Sequence, residues 1–426
     1  MKTLFIQLCQ QDPVPEATSA NVPLIAGRLA AMAIASGLYQ RQDLTILDDA
    51  TADHGSDAAV CSQAISLAPE LIVFTLLPWN AERSAWIARR LRATLAATWC
   101  VACGPAARFE EWGQTYDCVL EGEPEACFLD MLSDASRRSL EIRYRGTISL
   151  SLSELPDPWL SGVLSVRSDK PVLVETRRGG SLASLAGAVP SGSLGRERLA
   201  KLMSLASMQG AQEFRILDRP FDSSDLAGLK ALAAANESGV PFRAKLDLSS
   251  LSDESSDLLL DAGLSFADSD LLSTNPAALQ AMGRSLDKAG FERGLGMLWA
   301  RDVSVRPLVL LGLPNDSYET IVSTFDFLGM AGTGQDALLR PLAVYPGSPL
   351  WQARNQLGIR EFLKQAPHWV LETDWLDEDG FLDSVADFEE SFDVAWSRPV
   401  PPRFLPARSG FISFIDARKD LDRAIL

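Results

Sequence analysis

Apolar runs of strand length alternate with longer stretches of helical periodicity through the first 140 residues. The strand-like runs are Leu4–Cys9, Leu44–Leu47, Leu71–Leu76, Trp99–Cys103 and Cys118–Leu120. Between them, apolar residues recur at helical spacing over Val22–Leu38, Ala58–Leu67, Ala81–Leu95 and a short segment near Phe109–Trp112, and a further helix covers Ala126–Leu132. Strands that are apolar on both sides need cover on both. A series of strand–helix units meets that need as a twisted parallel sheet with helices on each face. Ligands of such sheets lie beyond the carboxyl ends of the strands. The loops there are Gln10–Ala20, Asp48–Ser56, Pro78–Asn80, Gly104–Ala106 and Glu121–Pro124, all rich in Gly, Pro, Asn and acidic residues.

Residues 141–170 read as a connector with one short strand, Glu141–Tyr144. A second alternating series occupies 171–350. Its predicted strands are Val172–Thr176, Phe214–Asp218, Phe242–Leu248, a weaker one near Leu264–Phe266, Val305–Leu311 and Ala337–Ala343. Helices are predicted at Leu199–Met208, Leu226–Ala235, Ser256–Ala262, Ala277–Leu286 and Tyr318–Leu328. Six such units suit a partial barrel better than an open sheet. Residues 351–426 form an extension. Its acidic amphipathic stretch, Asp374–Trp396, should pack through Phe381, Phe388, Phe392 and Trp396, and a Pro-rich segment, Arg398–Pro406, follows.

Composition narrows the possible partners. The 426 residues hold 56 acidic against 39 basic side chains, a formal charge of −17, whereas a nucleic-acid partner needs a basic face. No apolar window reaches the ~18 residues of a membrane span, and Asp12-Pro13 arrives too early for a secretory leader. All six cysteines (Cys9, Cys61, Cys100, Cys103, Cys118 and Cys127) precede residue 128 in apolar surroundings, which reads as buried free thiols of a cytoplasmic protein. Cys100 and Cys103 are spaced as CxxC, but their flanks look like the interior of a strand. The two histidines are His54 and His368, the latter reading as a surface-loop residue after a proline. A metal or iron–sulfur site in the last two thirds of the chain would have no thiolate and at most one imidazole.

The order of several short motifs resembles the cobalamin-binding radical S-adenosylmethionine (SAM) family, in the subgroup with a C-terminal domain of unknown function. Leu77-Pro78-Trp79-Asn80-Ala81-Glu82-Arg83 looks like its "WN" loop, Cys103-Gly104-Pro105 like "GGP", and Leu120-Glu121-Gly122-Glu123-Pro124-Glu125 like "GEGE". Leu155-Pro156-Asp157-Pro158-Trp159-Leu160-Ser161-Gly162 is similar to "PSPYLSG", and Leu217-Asp218-Arg219-Pro220-Phe221-Asp222 to "DRTFN". Ser273-Thr274-Asn275-Pro276-Ala277-Ala278-Leu279 resembles "QSTNPEAL", Leu311-Gly312-Leu313-Pro314 resembles "GLP", and Tyr345-Pro346-Gly347-Ser348-Pro349-Leu350 resembles a late "GTPL" turn. The stretch from Pro367 to Leu376 is similar to the start of that C-terminal domain. The resemblance implies an α/β chain: an N-terminal Rossmann-like cobalamin-binding domain, a radical-SAM-type partial (βα)6 barrel, and a small helical C-terminal tail. It implies cobalamin bound by Pro78, Trp79, Asn80, Gly104, Pro105, Glu121, Gly122 and Glu123. The Asp-x-His-x-x-Gly signature of histidine-ligated corrinoid proteins is absent, and Asp53-His54-Gly55 lacks its spacing.

One departure is chemical. Where the family carries "ETxRGC" and the cysteines of CxxxCxxC, this chain reads Glu175-Thr176-Arg177-Arg178-Gly179-Gly180-Ser181-Leu182-Ala183-Ser184-Leu185-Ala186-Gly187. The three aligned positions are Gly180, Ser184 and Gly187, none of them a thiolate, so a 4Fe–4S cluster and the reductive cleavage of SAM that it drives are not expected. The family's "GLQS" has become Asp270-Leu271-Leu272-Ser273, which also weakens the implied SAM site. Glu175, Asp218 and Asp247 fall at barrel strand ends, where catalytic groups of βα-barrels lie, although pairing with Arg177, Arg215 or Arg243 accounts for them as structural charges. Two functions stay open. One is a cobalamin-dependent enzyme performing methyl transfer or corrinoid redox chemistry on a small molecule. The other is a non-catalytic binding partner, sensor or carrier of cobalamin or a small ligand, with a partner protein or a second copy.

Overall fold

The computed structural model describes residues 1–9, 21–146, 150–177, 194–218, 220–364 and 368–396. Two compact units divide the chain, one from Met1 to Pro171 and the other beginning at Val172. The first contains a six-stranded, fully parallel sheet: β1 (Thr3–Ile6), β2 (Leu44–Ile46), β3 (Leu71–Thr75), β4 (Trp99–Cys103), β5 (Cys118–Gly122) and β6 (Arg143–Gly146). Their order is β2-β1-β3-β4-β5-β6, with every neighbouring pair parallel. This is the Rossmann-like, doubly wound arrangement, and its strand order reverses between β1 and β3.

Every residue of β1 and β3 is buried, as a sheet covered on both faces requires. Leu4, Ile6, Ile72 and Phe74 pack with Val60, Ile87 and Leu91 of the helices Asp57–Leu67 and Ala81–Thr94. On the other side Phe5 meets Phe128, from helix Phe128–Ser136, with ring centroids 6.1 Å apart. The strand expected in the connector is β6, shifted two residues along and paired with β5.

The second unit holds β7 (Val172–Val174), β8 (Phe214–Ile216), β9 (Phe242–Lys245), β10 (Leu264–Leu272), β11 (Ser304–Leu311) and β12 (Leu338–Pro341). They are parallel and lie side by side in chain order, as successive βα units of a partial barrel do. A hairpin of β13 (Ile359–Phe362) and β14 (Val370–Thr373) follows, then helix Glu378–Phe392. Phe381, Phe388, Phe392 and Trp396 are all buried, as their spacing predicts. Phe388 and Phe392 meet Phe325 of helix Tyr318–Met330 edge-on, at 5.4 and 6.3 Å between centroids.

Three expectations need correction. The weak strand at Leu264–Phe266 runs on to Leu272, nine residues and the longest among the described ones; Asp268 and Asp270 alternate with buried Ala267, Ser269 and Leu271 and hide its pattern. The helix expected to Leu286 stops at Ala281, and a second, Lys288–Trp299, follows it. Gly290, Gly294 and Gly296 break the apolar period there. A β-carbon at Gly294 would lie 2.1 Å from the Leu248 carbonyl, so glycine lets this helix press on the turn after β9. His368 is buried rather than on a surface loop, since its carbonyl accepts from Val344 N–H at 2.8 Å where the chain folds back along the segment after β12.

Replacing Phe388 with Ala removes a ring packed on Phe325 and Phe392. The expected loss is about 3–5 kcal/mol, read as a lowered denaturation midpoint for the second unit.

Candidate functional site

The reversal of strand order between β1 and β3 opens a crevice at the carboxyl edge of the first sheet, and the loops after β3, β4 and β5 lie along that edge. The β1 loop, Gln10–Ala20, falls outside the described residues. After β3, Asn80 is buried and its side-chain amide is engaged at both its oxygen and its nitrogen. It accepts from Leu77 N–H at 2.8 Å and donates to Leu8 O at 2.9 Å and Thr75 O at 3.3 Å. Asn80 thereby ties the ends of β1 and β3 together. Beside it the indole of Trp79 is 38% exposed, unusual for so large an apolar group, and Pro78 is half-buried.

After β4 comes the turn at Gly104, where φ is +99° and a β-carbon would sit 2.8 Å from Leu76 O. Only glycine fits. Leu76 N–H donates to Cys103 O at 2.7 Å and Ala106 N–H donates to Leu76 O at 3.0 Å, so this turn hangs on the start of the β3 loop. Pro105 is exposed at its tip. After β5, Gly122 has φ +76° and a β-carbon there would meet Gly146 O at 2.7 Å. Gly122 is exposed and Glu123 half-buried. The Glu121 carboxylate is engaged by β6, 2.5 Å from Arg143 and 3.4 Å from Arg145. The described loops after β3, β4 and β5 thus present backbone, the Trp79 indole, Pro105 and half-buried Glu123, with Glu121 held in its ion pairs.

Two buried ion pairs, which sequence reasoning missed, support these loops. Glu125, next to the Gly122–Glu123 turn, meets Arg28 of helix Leu24–Ala35 at 3.1 Å. Arg83, three residues beyond Asn80, meets Asp57 at 2.7 Å and donates to Gly55 O at 2.7 Å. Their partners lie too far apart in sequence for spacing to reveal them. His54 is exposed on the helix Asp49–His54.

All six cysteines are free and buried. Burial pushes the thiols of Cys100, Cys103 and Cys127 up to about 12, and that of Cys118 further in the same direction. Such thiols are inert at neutral pH, and Cys100 and Cys103 are both buried on β4, Cys103 as its last residue. Among the described residues no group of three or more His, Cys, Asp or Glu is arranged to hold a metal ion, and no helix is long and apolar enough to cross a membrane.

In the second unit, Gly180, Ser184 and Gly187 lie outside the described residues. The stem of their segment is held by Asp218, whose Oδ1 accepts from Thr176 N–H at 2.9 Å and Arg177 N–H at 3.1 Å. Burial raises the Asp218 pKa against these hydrogen bonds. Arg177 pairs with Asp222, and Asp247 caps the turn Leu248–Ser250 through Ser249. Glu175 is half-buried at the end of β7. Asp270 lies between Lys245 at 2.5 Å and Arg284 at 3.7 Å. Tyr345 is partly exposed, its ring 6.2 Å from that of His368.

No protein-family model matches the chain, and no curated protein matches it in sequence. Solved structures do match. One is the radical SAM methyltransferase TsrM from Kitasatospora setae, with tryptophan substrate and a SAM analog bound. It has a TM-score of 0.63 and 14% identity over 84% of this chain and 77% of that one. Another structure of TsrM, with cobalamin and a [4Fe–4S] cluster bound, gives 0.60 and 15% over 84% and 75%. The cobalamin-dependent SAM radical enzyme OxsB gives 0.69 and 11% over 91% of this chain and 66% of that one, so the chain spans just under two thirds of OxsB. The fold is that of cobalamin-dependent radical SAM enzymes. Within it, the loops after β3, β4 and β5 are the motifs singled out in the sequence, now seen along one edge of one sheet.

Asn80→Ala leaves three backbone groups without their partner and is expected to cost about 3 kcal/mol. Asn80→Asp keeps the acceptor for Leu77 N–H but sets a carboxylate against two carbonyls, so it should destabilise as well. Thermal denaturation of both variants checks this; an Asp variant as stable as the parent would mean that the amide donor contributes nothing.

Proposed function

We propose that this chain binds cobalamin along the carboxyl edge of its first sheet and acts without a 4Fe–4S cluster. Its chemistry would be methyl transfer or corrinoid redox chemistry on a small molecule in the cytoplasm, with no radical cleavage of SAM. The contrast between two chemistries carries the proposal: the ligand-facing loops of the first sheet are intact, while the chain has no thiolate beyond Cys127.

The residues at the edge suit a broad, flat macrocycle. Trp79 and Pro105 offer exposed apolar surface, and the turns at Gly104 and Gly122 bring backbone to the rim in conformations that a side chain would block. Bound cobalamin supplies a cobalt centre able to exchange a methyl group or an electron. The protein's part is to orient that group, with Asn80 fixing the loop that carries Trp79. The donor set for a cluster does not fit. Gly180 and Gly187 have no side chain, Ser184 offers only a hydroxyl, and every cysteine is buried in the first unit. Asp270, where the resembled pattern has glycine, is clamped between Lys245 and Arg284, which supports a barrel reworked away from SAM chemistry.

A non-catalytic role, as carrier, sensor or partner of an active relative, draws support from the barrel carboxylates. Asp218 is spent on backbone N–H groups and Asp247 on a turn cap. Neither is poised as a base.

Protein expressed with cobalamin supplied is expected to show corrinoid absorption bands and to lack stoichiometric iron and sulfide. Iron and sulfide at cluster stoichiometry would overturn the cluster-free half of the proposal, and absence of corrinoid would overturn the other. Trp79→Ala should weaken cobalamin binding about tenfold, a loss of about 1.4 kcal/mol, with little change in melting temperature because the indole is not part of the core.

A further inference from the structure

On the second sheet, residues alternate between buried ones and a half-exposed set that faces the other way. That second face carries an arginine cluster. Arg215 on β8 stands between buried Phe214 and Ile216, Arg243 on β9 between Phe242 and Ala244, and Arg306 on β11 between Val305 and Pro307. Strand register sets Arg215 beside Arg243, Arg243 beside Phe266, and Asp268 between Lys245 and Arg306. The Phe266 ring lies under two guanidiniums, 3.9 Å from Arg243 and 5.2 Å from Arg306.

Two of the three cations are answered. Arg215 pairs with Glu213 at 2.8 Å and Arg306 with Asp268 at 2.8 Å. Lys245, on the same face, is taken by Asp270. Arg243 forms no ion pair with a described residue, and its Nε is buried without a hydrogen-bond partner. Burial first, and then the neighbouring Arg215, press its pKa below the ordinary arginine value, with Arg306 acting the same way and Asp268 and Glu213 opposing. A donor left without an acceptor is costly, and although the chain has a net charge of −17, no described carboxylate pairs with this one. The face remains reachable, since the side chains of Arg215 and Arg306 are 26% and 28% exposed.

We propose that this face is a binding site for a small-molecule carboxylate, with Arg243 as the anion's main partner, Arg215 and Arg306 flanking, and Phe266 supporting an apolar body. One uncompensated cation calls for a monoanion, and the planar fork of a guanidinium matches the two oxygens of a carboxylate. A phosphate dianion would bring a second charge next to Glu213 and Asp268. All of these residues lie in the second unit, and the proposal does not rest on cobalamin binding.

Titration of the full chain with benzoate, benzamide, acetate and inorganic phosphate, followed by calorimetry or saturation-transfer NMR, tests the assignment. Benzoate should bind with a Kd of about 1 mM, and neutral benzamide at least tenfold more weakly. Arg243→Met should weaken benzoate at least tenfold while melting at the same temperature as the parent or higher, because it removes an unpaired buried cation. Phe266→Leu keeps all three arginines and should weaken benzoate but not acetate, so it decides the matter if the Arg243 variant does not fold. Equal binding of benzoate and benzamide, benzoate binding insensitive to both substitutions, or phosphate binding more tightly than benzoate would each overturn the proposal.

Discussion

The side-chain amide of Asn80 holds the place where the first sheet reverses its order. At the end of the β1–β3 ladder, backbone groups lose their strand partners, and a buried carbonyl or N–H without a partner is costly. One amide satisfies Leu8 O, Thr75 O and Leu77 N–H together. The consequences run along the edge. With Leu77 fixed, Leu76 is placed to bond Cys103 and Ala106, and the turn at Gly104 closes over Leu76 O so tightly that only glycine fits. Trp79 stands exposed within the turn that the Leu77–Asn80 hydrogen bond closes.

Buried charge reinforces the same edge from behind. Arg83 follows Asn80 on the helix that the loop begins, and its pairing with Asp57 and Gly55 O binds that helix to the one after β2. Arg28 and Glu125 do the equivalent for the loop after β5. Breaking such a pair strands a charge in the interior, so each arginine constrains where its helix can start. The loops after β3 and β5 are therefore anchored from behind by buried ion pairs.

How much of this was legible in the sequence depends on which face a residue serves. Strands buried on both sides, β1, β3 and β4, announce themselves as unbroken apolar runs. β10 does not, since Asp268 and Asp270 occupy every second position and resemble loop chemistry. The helix Lys288–Trp299 was hidden for the opposite reason: its glycines look like breakers but serve close packing against Leu248. Gly104 and Gly122 could be read as backbone near a ligand. The arginines of the ion pairs could not be assigned, because Arg28 and Glu125 are 97 positions apart and nothing local links them. The role of Asn80 was likewise invisible, because a loop asparagine that braces two strands has the same sequence signature as one that meets a ligand.

The two sheets offer chemistry in different ways, and burial decides which. The central strands β1 and β3 of the first are buried on both faces, so its polar and exposed groups lie in the loops at the strand ends. In the second, one face of the strands keeps water contact, and side chains on the strands themselves carry charge: Arg215, Arg243, Lys245, Asp268, Asp270 and Arg306. Thiols follow the same division. Cysteine behaves as a small apolar residue when packed between sheet and helices, so its confinement to the first unit is a packing outcome, with pKa values raised by that burial. The strand residues of the second sheet meet a different constraint: half-exposed positions flanked by buried apolar ones keep long charged side chains, whose stems pack on the sheet while their heads reach water and each other.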